Sequence, residues 1–128
     1  MMNEASKIKS FTDLMTWQEG HKLVVMTYKM VKNFPSDEDF GLKAQMKRAT
    51  VSITSNIAEG FSRGTYKEKK RFYDIAKGSL TEVQNQALVA RDVGYVSQAE
   101  FARYAKQSGV TLALLIGLIR SSKDKDKQ

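Results

Sequence analysis

The hydrophobic residues of this chain recur at steps of three and four along almost its whole length, which is the period of an amphipathic α-helix. Four such segments are separated by short breaks. The first helix is predicted from Thr12 or Asp13 to Asn33. Phe34-Pro35 ends it, because the residue before a proline disfavours the helical conformation. The predicted core-facing stripe of this helix consists of Leu14, Trp17, His21, Val24, Tyr28 and Val31.

The second helix is predicted to follow Ser36. The acidic residues 37–39 come next, and negative charge is favourable at the positive N-terminal end of a helix dipole. Because glycine commonly follows the last residue of a helix, this helix is expected to end near Gly60 or Gly64. Its apolar stripe consists of Leu42, Met46, Ala49, Ile53 and Ile57.

Capping boxes mark the beginnings of the third and fourth helices. In this motif a Ser or Thr and a Glu three residues later each accept a hydrogen bond from the other residue's backbone N–H. Thr65 precedes Glu68 at this spacing, Ser97 precedes Glu100, and Gly94 ends the third helix. The predicted stripes are Phe72, Ala76, Ser79, Val83, Gln86, Ala90 and Val93 on the third helix, and Phe101, Ala105, Ser108, Leu112, Leu115 and Ile119 on the fourth.

Four long helices joined by short connections predict an all-α fold, an antiparallel up-down four-helix bundle. A chain of 128 residues fits a single domain over residues 1–128. The polar residues 1–10 and the segment 121–128, in which lysine and aspartate alternate, are expected to be flexible.

The fourth helix carries more apolar surface than one bundle core requires. From Val110 onward its apolar residues point in nearly every direction, whereas a helix of a monomeric bundle needs only one apolar stripe. A thick core with a few exposed leucines is one interpretation. The other is a homo-oligomer, because large apolar patches usually mark interfaces. Its predicted interface residues are Leu114, Ile116 and Leu118.

A polar stripe runs beside the apolar stripe of the second helix. It faces polar residues of the third helix, and Arg48 is expected to pair there with Glu82. The favoured interpretation is a structural polar network that fixes the helix register, and the alternative is a ligand or catalytic site that handles a phosphate. The network comprises Gln45, Arg48, Ser52, Asn56, Glu59, Ser79 and Glu82.

Composition narrows the chemistry. The chain has no cysteine, which excludes disulfides, thiol catalysis and cysteine-ligated metals. The sequence contains no recognisable catalytic constellation, cofactor motif or metal-ligand pattern, so we predict a protein that is not an enzyme and needs no cofactor. The single histidine, His21, is interpreted as a core or interface residue, and residues 37–39 as a helix cap rather than a metal site.

Positive charge is densest at the start of the third helix. The net charge is +7, and Tyr66 and Tyr73 lie among the cations of this segment. Lysines at a helix N-terminus oppose the helix dipole, so helix stability does not explain them. Cations with aromatic residues suit a phosphate backbone and an unpaired base, although a solvated helix end with no partner would look the same. The predicted nucleic-acid-binding residues are Arg63, Lys67, Lys69, Lys70 and Arg71.

Two observations bear on location. The first ten residues contain no apolar segment of the kind found in signal peptides. The longest apolar run, residues 110–119, is shorter than the roughly 20 residues that a membrane span requires. A cytoplasmic protein without a membrane partner is therefore expected.

Several strings of the sequence resemble a known family, the bacterial four-helix bundle proteins encoded in intervening sequences of 23S ribosomal RNA genes. The resemblance covers about residues 11–120. The strings are Phe40-Gly41-Leu42, Gln45, Arg48-Ala49, Ser52, Asn56-Ile57-Ala58-Glu59-Gly60, Arg63, Ala76-Lys77-Gly78-Ser79-Leu80 and Glu82.

This resemblance implies an antiparallel four-helix bundle that assembles into a pentameric ring. The sequence is also similar to the accessory variability determinant of diversity-generating retroelements, a basic pentameric bundle that binds nucleic acid and a reverse transcriptase. The family supplies no defined active site. We therefore expect a non-enzymatic oligomer that binds structured RNA or an RNA–DNA intermediate without base-specific readout. The alternative is a protein-interaction scaffold for a nucleic-acid-processing partner such as a reverse transcriptase.

Overall fold

A computed structural model describes the backbone of residues 8–126 and the side chains of residues 8–123. Two short 3-10 turns, Phe11–Asp13 and Ser36–Glu38, precede the first and second α-helices. Within residues 8–126 there is no β-strand, and the predicted all-α fold of four helices is confirmed. The helices are α1 (Met15–Val31), α2 (Leu42–Ser62), α3 (Tyr66–Asp92) and α4 (Gln98–Asp126).

Of the two predicted capping boxes, the one at Ser97 is complete, and the one at Thr65 shows only its hydroxyl bond among the described residues. At the start of α3 the Thr65 hydroxyl accepts a hydrogen bond from the Glu68 N–H at 3.3 Å. At the start of α4 both bonds of the capping box form, because Ser97 Oγ accepts from the Glu100 N–H at 3.1 Å and the Glu100 carboxylate accepts from the Ser97 N–H at 3.3 Å. Gly94 follows α3 with a φ of 87°, which glycine adopts without steric cost.

Both ends of the described chain have local structure. Ser10 caps the first 3-10 turn, where its hydroxyl accepts from the Thr12 N–H at 3.2 Å. At the other end α4 includes residues 121–126, which the sequence placed in a flexible tail. Ser122 is buried there and donates to the Leu118 carbonyl at 2.8 Å. The remaining residues of the two predicted flexible segments, 1–7 and 127–128, lie outside the described residues.

Contacts between α1 and α4 run in opposite order along the two helices. Thr16 donates to the Leu114 carbonyl at 3.2 Å, and the Gln107 amide donates to a carbonyl one turn further along α1 at 2.9 Å. Nearer the end of α1, the hydroxyl groups of Thr27 and Tyr104 lie 2.7 Å apart. α1 and α4 are therefore antiparallel. The most extensive packing joins α2 to α3.

The buried face of α1 differs from the predicted stripe. Its buried residues are Thr16, Gly20, Leu23, Thr27, Met30 and Val31. Of the predicted stripe, only the two end residues Leu14 and Val31 are buried, while His21 and Tyr28 are exposed and Trp17 and Val24 are half-buried. The prediction was wrong because small residues let α1 approach its neighbours closely: a Cβ added at Gly20 would lie 3.2 Å from Thr54 Cγ2.

Three hydroxyl groups meet in the centre of the core. Thr27 donates to the Leu23 carbonyl at 2.8 Å, and its oxygen lies 3.2 Å from that of Thr50 and 2.7 Å from that of Tyr104. Burial raises the pKa of Tyr104 to about 12, although its hydrogen bonds to the threonines act in the opposite direction. This hydroxyl cluster joins α1, α2 and α4 and satisfies polar groups that would otherwise be costly to bury.

Candidate nucleic-acid interface at the start of α3

The connection between α2 and α3 brings the predicted cationic residues together. α2 ends at Ser62, and Arg63 leaves it in an extended conformation with φ −82° and ψ 153°. Two residues later Thr65 caps α3. The chain turns back this sharply because Gly60 allows the ring of Tyr73 to pack directly against α2, where an added Cβ would lie only 2.7 Å from Tyr73 Cδ1.

Two arginines contact one aromatic ring at this turn. The guanidinium carbon of Arg63 lies 4.6 Å from the centre of the Phe72 ring, and that of Arg71 lies 4.9 Å from it. Arg63 also donates to the Glu59 carboxylate at 3.1 Å. The ring and the carboxylate hold the Arg63 side chain in place, which reduces the conformational entropy that it could lose on contact with any ligand.

We call Arg63, Lys67, Lys70 and Arg71 the cationic face. Lys67, Lys70 and Arg71 are exposed on the first turns of α3. Together with Tyr66 and Asp74 they line one open surface depression. The Lys70 ammonium lies 2.6 Å from the Asp74 carboxylate, and this hydrogen bond raises the pKa of Lys70. Lys67 is exposed and forms no ion pair among the residues that the structure describes.

Lys69 has a different position from the other predicted binding residues. Its half-buried side chain turns back to α2, where the ammonium donates to the carbonyls of Phe61 at 2.8 Å and Gly60 at 3.2 Å. These carbonyls lie in the last turn of α2, at the negative end of the helix dipole. Lys69 therefore caps α2, so the cationic face retains Arg63, Lys67, Lys70 and Arg71.

The predicted polar network forms only in part. Ser52 and Ser79 lie 2.8 Å apart across the α2–α3 contact. The Asn56 amide donates to the Ser52 carbonyl at 2.8 Å and to its hydroxyl at 3.1 Å, and Glu59 pairs with Arg63. These contacts lie at the α2–α3 turn and in about the last three turns of α2.

The rest of the proposed network lies at the surface. Gln45, Arg48 and Glu82 are exposed. No ion pair joins Arg48 to Glu82 among residues 8–123, so the expected contact is wrong in this structure. Exposed ion pairs contribute little stability, so solvation of two long side chains is the ordinary outcome.

The predicted interface residues on α4 lie beside its buried face. Leu114, Ile116 and Leu118 are each half-buried, whereas Leu115 is completely buried. His21, interpreted as a core or interface residue, is exposed and not in the core of this chain. Its ring stacks on that of Trp17 with 4.7 Å between the ring centres.

Sequence reasoning missed the role of Phe72. The three- and four-residue spacing placed it on the core stripe of the third helix, but its half-buried ring instead contacts Arg63 and Arg71. The neighbouring Arg71 is a signal that could have suggested this contact. The pairing with Arg63 depends on the turn between the helices, which hydrophobic periodicity does not specify.

Among the described residues, no group of three or more His, Cys, Asp or Glu side chains is placed to hold a metal ion. No helix within the described range combines the length and apolar character needed to cross a bilayer.

Comparison with known sequences decides the family. A sequence model described as 23S rRNA-intervening sequence protein matches residues 12–117. The chain belongs to this family. The match includes α1, α2, α3 and most of α4, so the whole cationic face at the start of α3 lies within the part shared with the 23S rRNA-intervening sequence proteins. No curated protein matched the chain.

Proposed function

We propose that this protein is a non-enzymatic oligomer that binds the phosphate backbone of nucleic acid without base-specific readout. The observation that carries the proposal is the cationic face formed by Arg63, Lys67, Lys70 and Arg71. Phosphate contacts supply most of the affinity in sequence-independent binding, and lysine and arginine supply those contacts.

The geometry of this face favours a flexible backbone with unstacked bases over a rigid duplex groove. Tyr66 lies beside the cations in the same open depression, and the half-buried Phe72 ring contacts both arginines. Aromatic groups next to a charged track allow bases to stack in a sequence-tolerant way. We therefore propose structured RNA with single-stranded loops, or an RNA–DNA intermediate, as the ligand.

A single copy of this face provides few contacts. Four cations neutralising four phosphates give a salt dependence with a slope of about −3 in a plot of log affinity against log salt. Several copies in one assembly bind a long nucleic acid with much higher affinity, because the second contact becomes intramolecular. The proposed oligomer, a pentamer by family resemblance, supplies those copies.

A salt titration tests the proposal. Affinity for a fluorescently labelled RNA hairpin and a single-stranded DNA of the same length is measured by anisotropy from 50 to about 500 mM salt. We expect a steep loss of affinity with salt, and we expect the Lys67→Gln and Arg71→Gln variants each to reduce the slope by about 1. The matched control is Lys106→Gln, which removes an exposed charge on α4.

Two results of this titration contradict the proposal. One is the absence of binding at low salt. The other is an equal effect of Lys106→Gln and Lys67→Gln, which would mean that net charge rather than the cationic face determines the affinity.

The second candidate function is a scaffold for a nucleic-acid-processing protein. Exposed aliphatic side chains on α3 favour it: Ile75, Leu88 and Val89 are each more than 40% exposed. Aliphatic groups at these positions suit a protein surface better than a phosphate backbone. Binding to a reverse transcriptase that is lost on Leu88→Ser, with no nucleic-acid binding at low salt, would support the scaffold instead.

A further inference from the structure

Phe40 is the most exposed of the large hydrophobic residues identified in the described chain, with 99% of its surface accessible. It lies in the connection between α1 and α2, directly after three acidic residues. An aromatic side chain that contacts almost nothing in its own chain loses the free energy that its burial would supply. We call Asp37, Glu38, Asp39 and Phe40 the acidic knob.

The acidic knob is held in place by its own contacts. The Glu38 carboxylate accepts hydrogen bonds from the Leu42 N–H at 2.9 Å and from the Tyr95 hydroxyl at 2.8 Å, and these bonds lower the pKa of Glu38. Gly41 makes this arrangement possible, since an added Cβ would lie 2.7 Å from Glu38 Oε1. Phe40 therefore projects from a fixed loop, which reduces the entropy cost of binding.

The negative charge around Phe40 limits the classes of molecule that could bind it. Three carboxylates lie in the four residues of the knob, and Lys43 pairs with only one of them, Asp39, at 2.8 Å. Negative charge repels the phosphates of nucleic acid and the anionic surface of a membrane. A surface complementary to the acidic knob would therefore be a protein surface that combines apolar and positively charged groups.

The chain itself presents such a surface on the outside of α1. Val24, Val25, Tyr28, Lys29 and Lys32 line one open depression, which we call the outer face of α1. Val25 and Tyr28 are each 40% exposed, although their residue types favour burial. Lys47 adds a further positive charge, because its ammonium lies 5.1 Å from the centre of the Tyr28 ring.

We propose that the acidic knob of one chain docks on the outer face of α1 of a second copy. The proposal rests on the oligomer put forward above and assigns a specific contact to it. Phe40 would pack against Val25 and Tyr28, and the Asp37 carboxylate, which forms no ion pair among the described residues, would face the three lysines. The acidic knob and the outer face of α1 are different surfaces of the same molecule, so each copy can bind one neighbour through its knob and another through its outer face.

Site-specific cross-linking tests the contact directly. The photoreactive residue p-benzoylphenylalanine replaces Phe40, and the full chain is irradiated at micromolar concentration without nucleic acid. We expect a covalent product of two chains, with the link in the α1 segment that contains Val24, Val25 and Tyr28. A link to another surface, or the absence of any two-chain product, overturns the proposal.

Sedimentation velocity measures the strength of the contact. Burial of one phenylalanine corresponds to a factor of about 10 to 100 in the association constant, so we expect Phe40→Ala to weaken assembly by this factor. The matched control is Val93→Ala, which shortens another exposed apolar side chain (55% accessible) and is expected to leave assembly unchanged. Equal assembly of wild type and Phe40→Ala contradicts the inference.

The outcomes separate this inference from the proposed function. If the wild type assembles and Phe40→Ala does so equally well, only the knob contact is wrong. If the wild type sediments as a monomer of 14.4 kDa, both the knob contact and the proposed oligomer are wrong. Nucleic-acid binding is measured in a different experiment on residues of α3, so neither sedimentation result decides it.

Discussion

The substitution Gly60→Ala tests how α2 and α3 pack. Gly60 lies in the last turn of α2, and a Cβ at this position would be 2.7 Å from Tyr73 Cδ1 and closer still to Cε1. Non-bonded carbon atoms are at their optimal separation at about 3.5–4.0 Å, so the ring would have to move by about 1 Å. Tyr73 is only 1% exposed, and its surroundings leave little space for that movement.

Two opposing effects set the magnitude. Overpacking a well-packed core costs about 1–3 kcal/mol. Alanine is favoured over glycine inside a helix by about 0.5–1 kcal/mol. We therefore expect Gly60→Ala to lower the free energy of unfolding by about 1–2 kcal/mol.

Gly78→Ala is the matched control. Gly78 lies in the interior of α3, where no atom would come within 4 Å of an added Cβ. Only the propensity effect applies, so this variant is expected to raise the free energy of unfolding by about 0.5–1 kcal/mol. The difference between the two variants therefore measures the contact with Tyr73.

Urea denaturation followed by circular dichroism supplies both values. The midpoint and slope are compared at several protein concentrations, because assembly makes apparent stability depend on concentration. Equal stability of Gly60→Ala and Gly78→Ala would refute the close approach of Tyr73 to α2.

Two further predictions concern Lys69 and Tyr104. Lys69→Met should lower the free energy of unfolding by about 1 kcal/mol in urea denaturation, because the carbonyls of Gly60 and Phe61 lose a charged donor. The same variant should lose less RNA affinity than Lys67→Gln does. A larger loss of RNA affinity in Lys69→Met than in Lys67→Gln would contradict the capping role. The pKa of Tyr104 in the folded protein, about 12, lies above its ordinary value, so this hydroxyl ionises at lower pH in the unfolded chain than in the folded one. The free energy of unfolding should therefore fall by about 2–3 kcal/mol as pH rises from about 10 to 12. This part of the loss should be absent in Tyr104→Phe, and an identical alkaline profile of the two proteins would contradict the assignment.

Local signals predicted the helices well. Thr65, Ser97 and Gly94 act within a few residues of their own positions, and the structure shows each in the expected place. The stripe of α2 was also predictable, because its buried face contains large apolar residues such as Met46 and Ile53. In these cases the information lies in consecutive residues of one helix.

The orientation of α1 could not be predicted from the same rules. Its buried face includes Thr16, Gly20 and Thr27, which have low hydrophobicity, whereas Trp17 is half-buried and Tyr28 is 40% exposed. Hydrophobic periodicity assigns the larger apolar side chains to the core. The real determinants are close helix approach and hydroxyl pairing, and both depend on residues of other helices.

The candidate site was predictable as a segment but not residue by residue. The cluster of positive charge between Arg63 and Arg71 is visible in the sequence. Its division into Lys69, which caps α2, and Lys67, which faces solvent, follows from the tight return of α3 along α2. Neighbouring lysines on one helix therefore have different roles because only one of them points toward the preceding helix.

The hydroxyl cluster of Thr27, Thr50 and Tyr104 selects one rotation of α1 about its own axis. Adjacent residues of an α-helix are separated by about 100° of rotation, so turning α1 by one residue would bring Tyr28 inward and move Thr27 away from its partners. That turn would leave the hydroxyls of Thr50 and Tyr104 without their shared partner in a dry interior. Because the hydroxyl cluster disfavours this rotation, aromatic and aliphatic side chains such as Tyr28 and Val25 remain exposed on the outer face of α1.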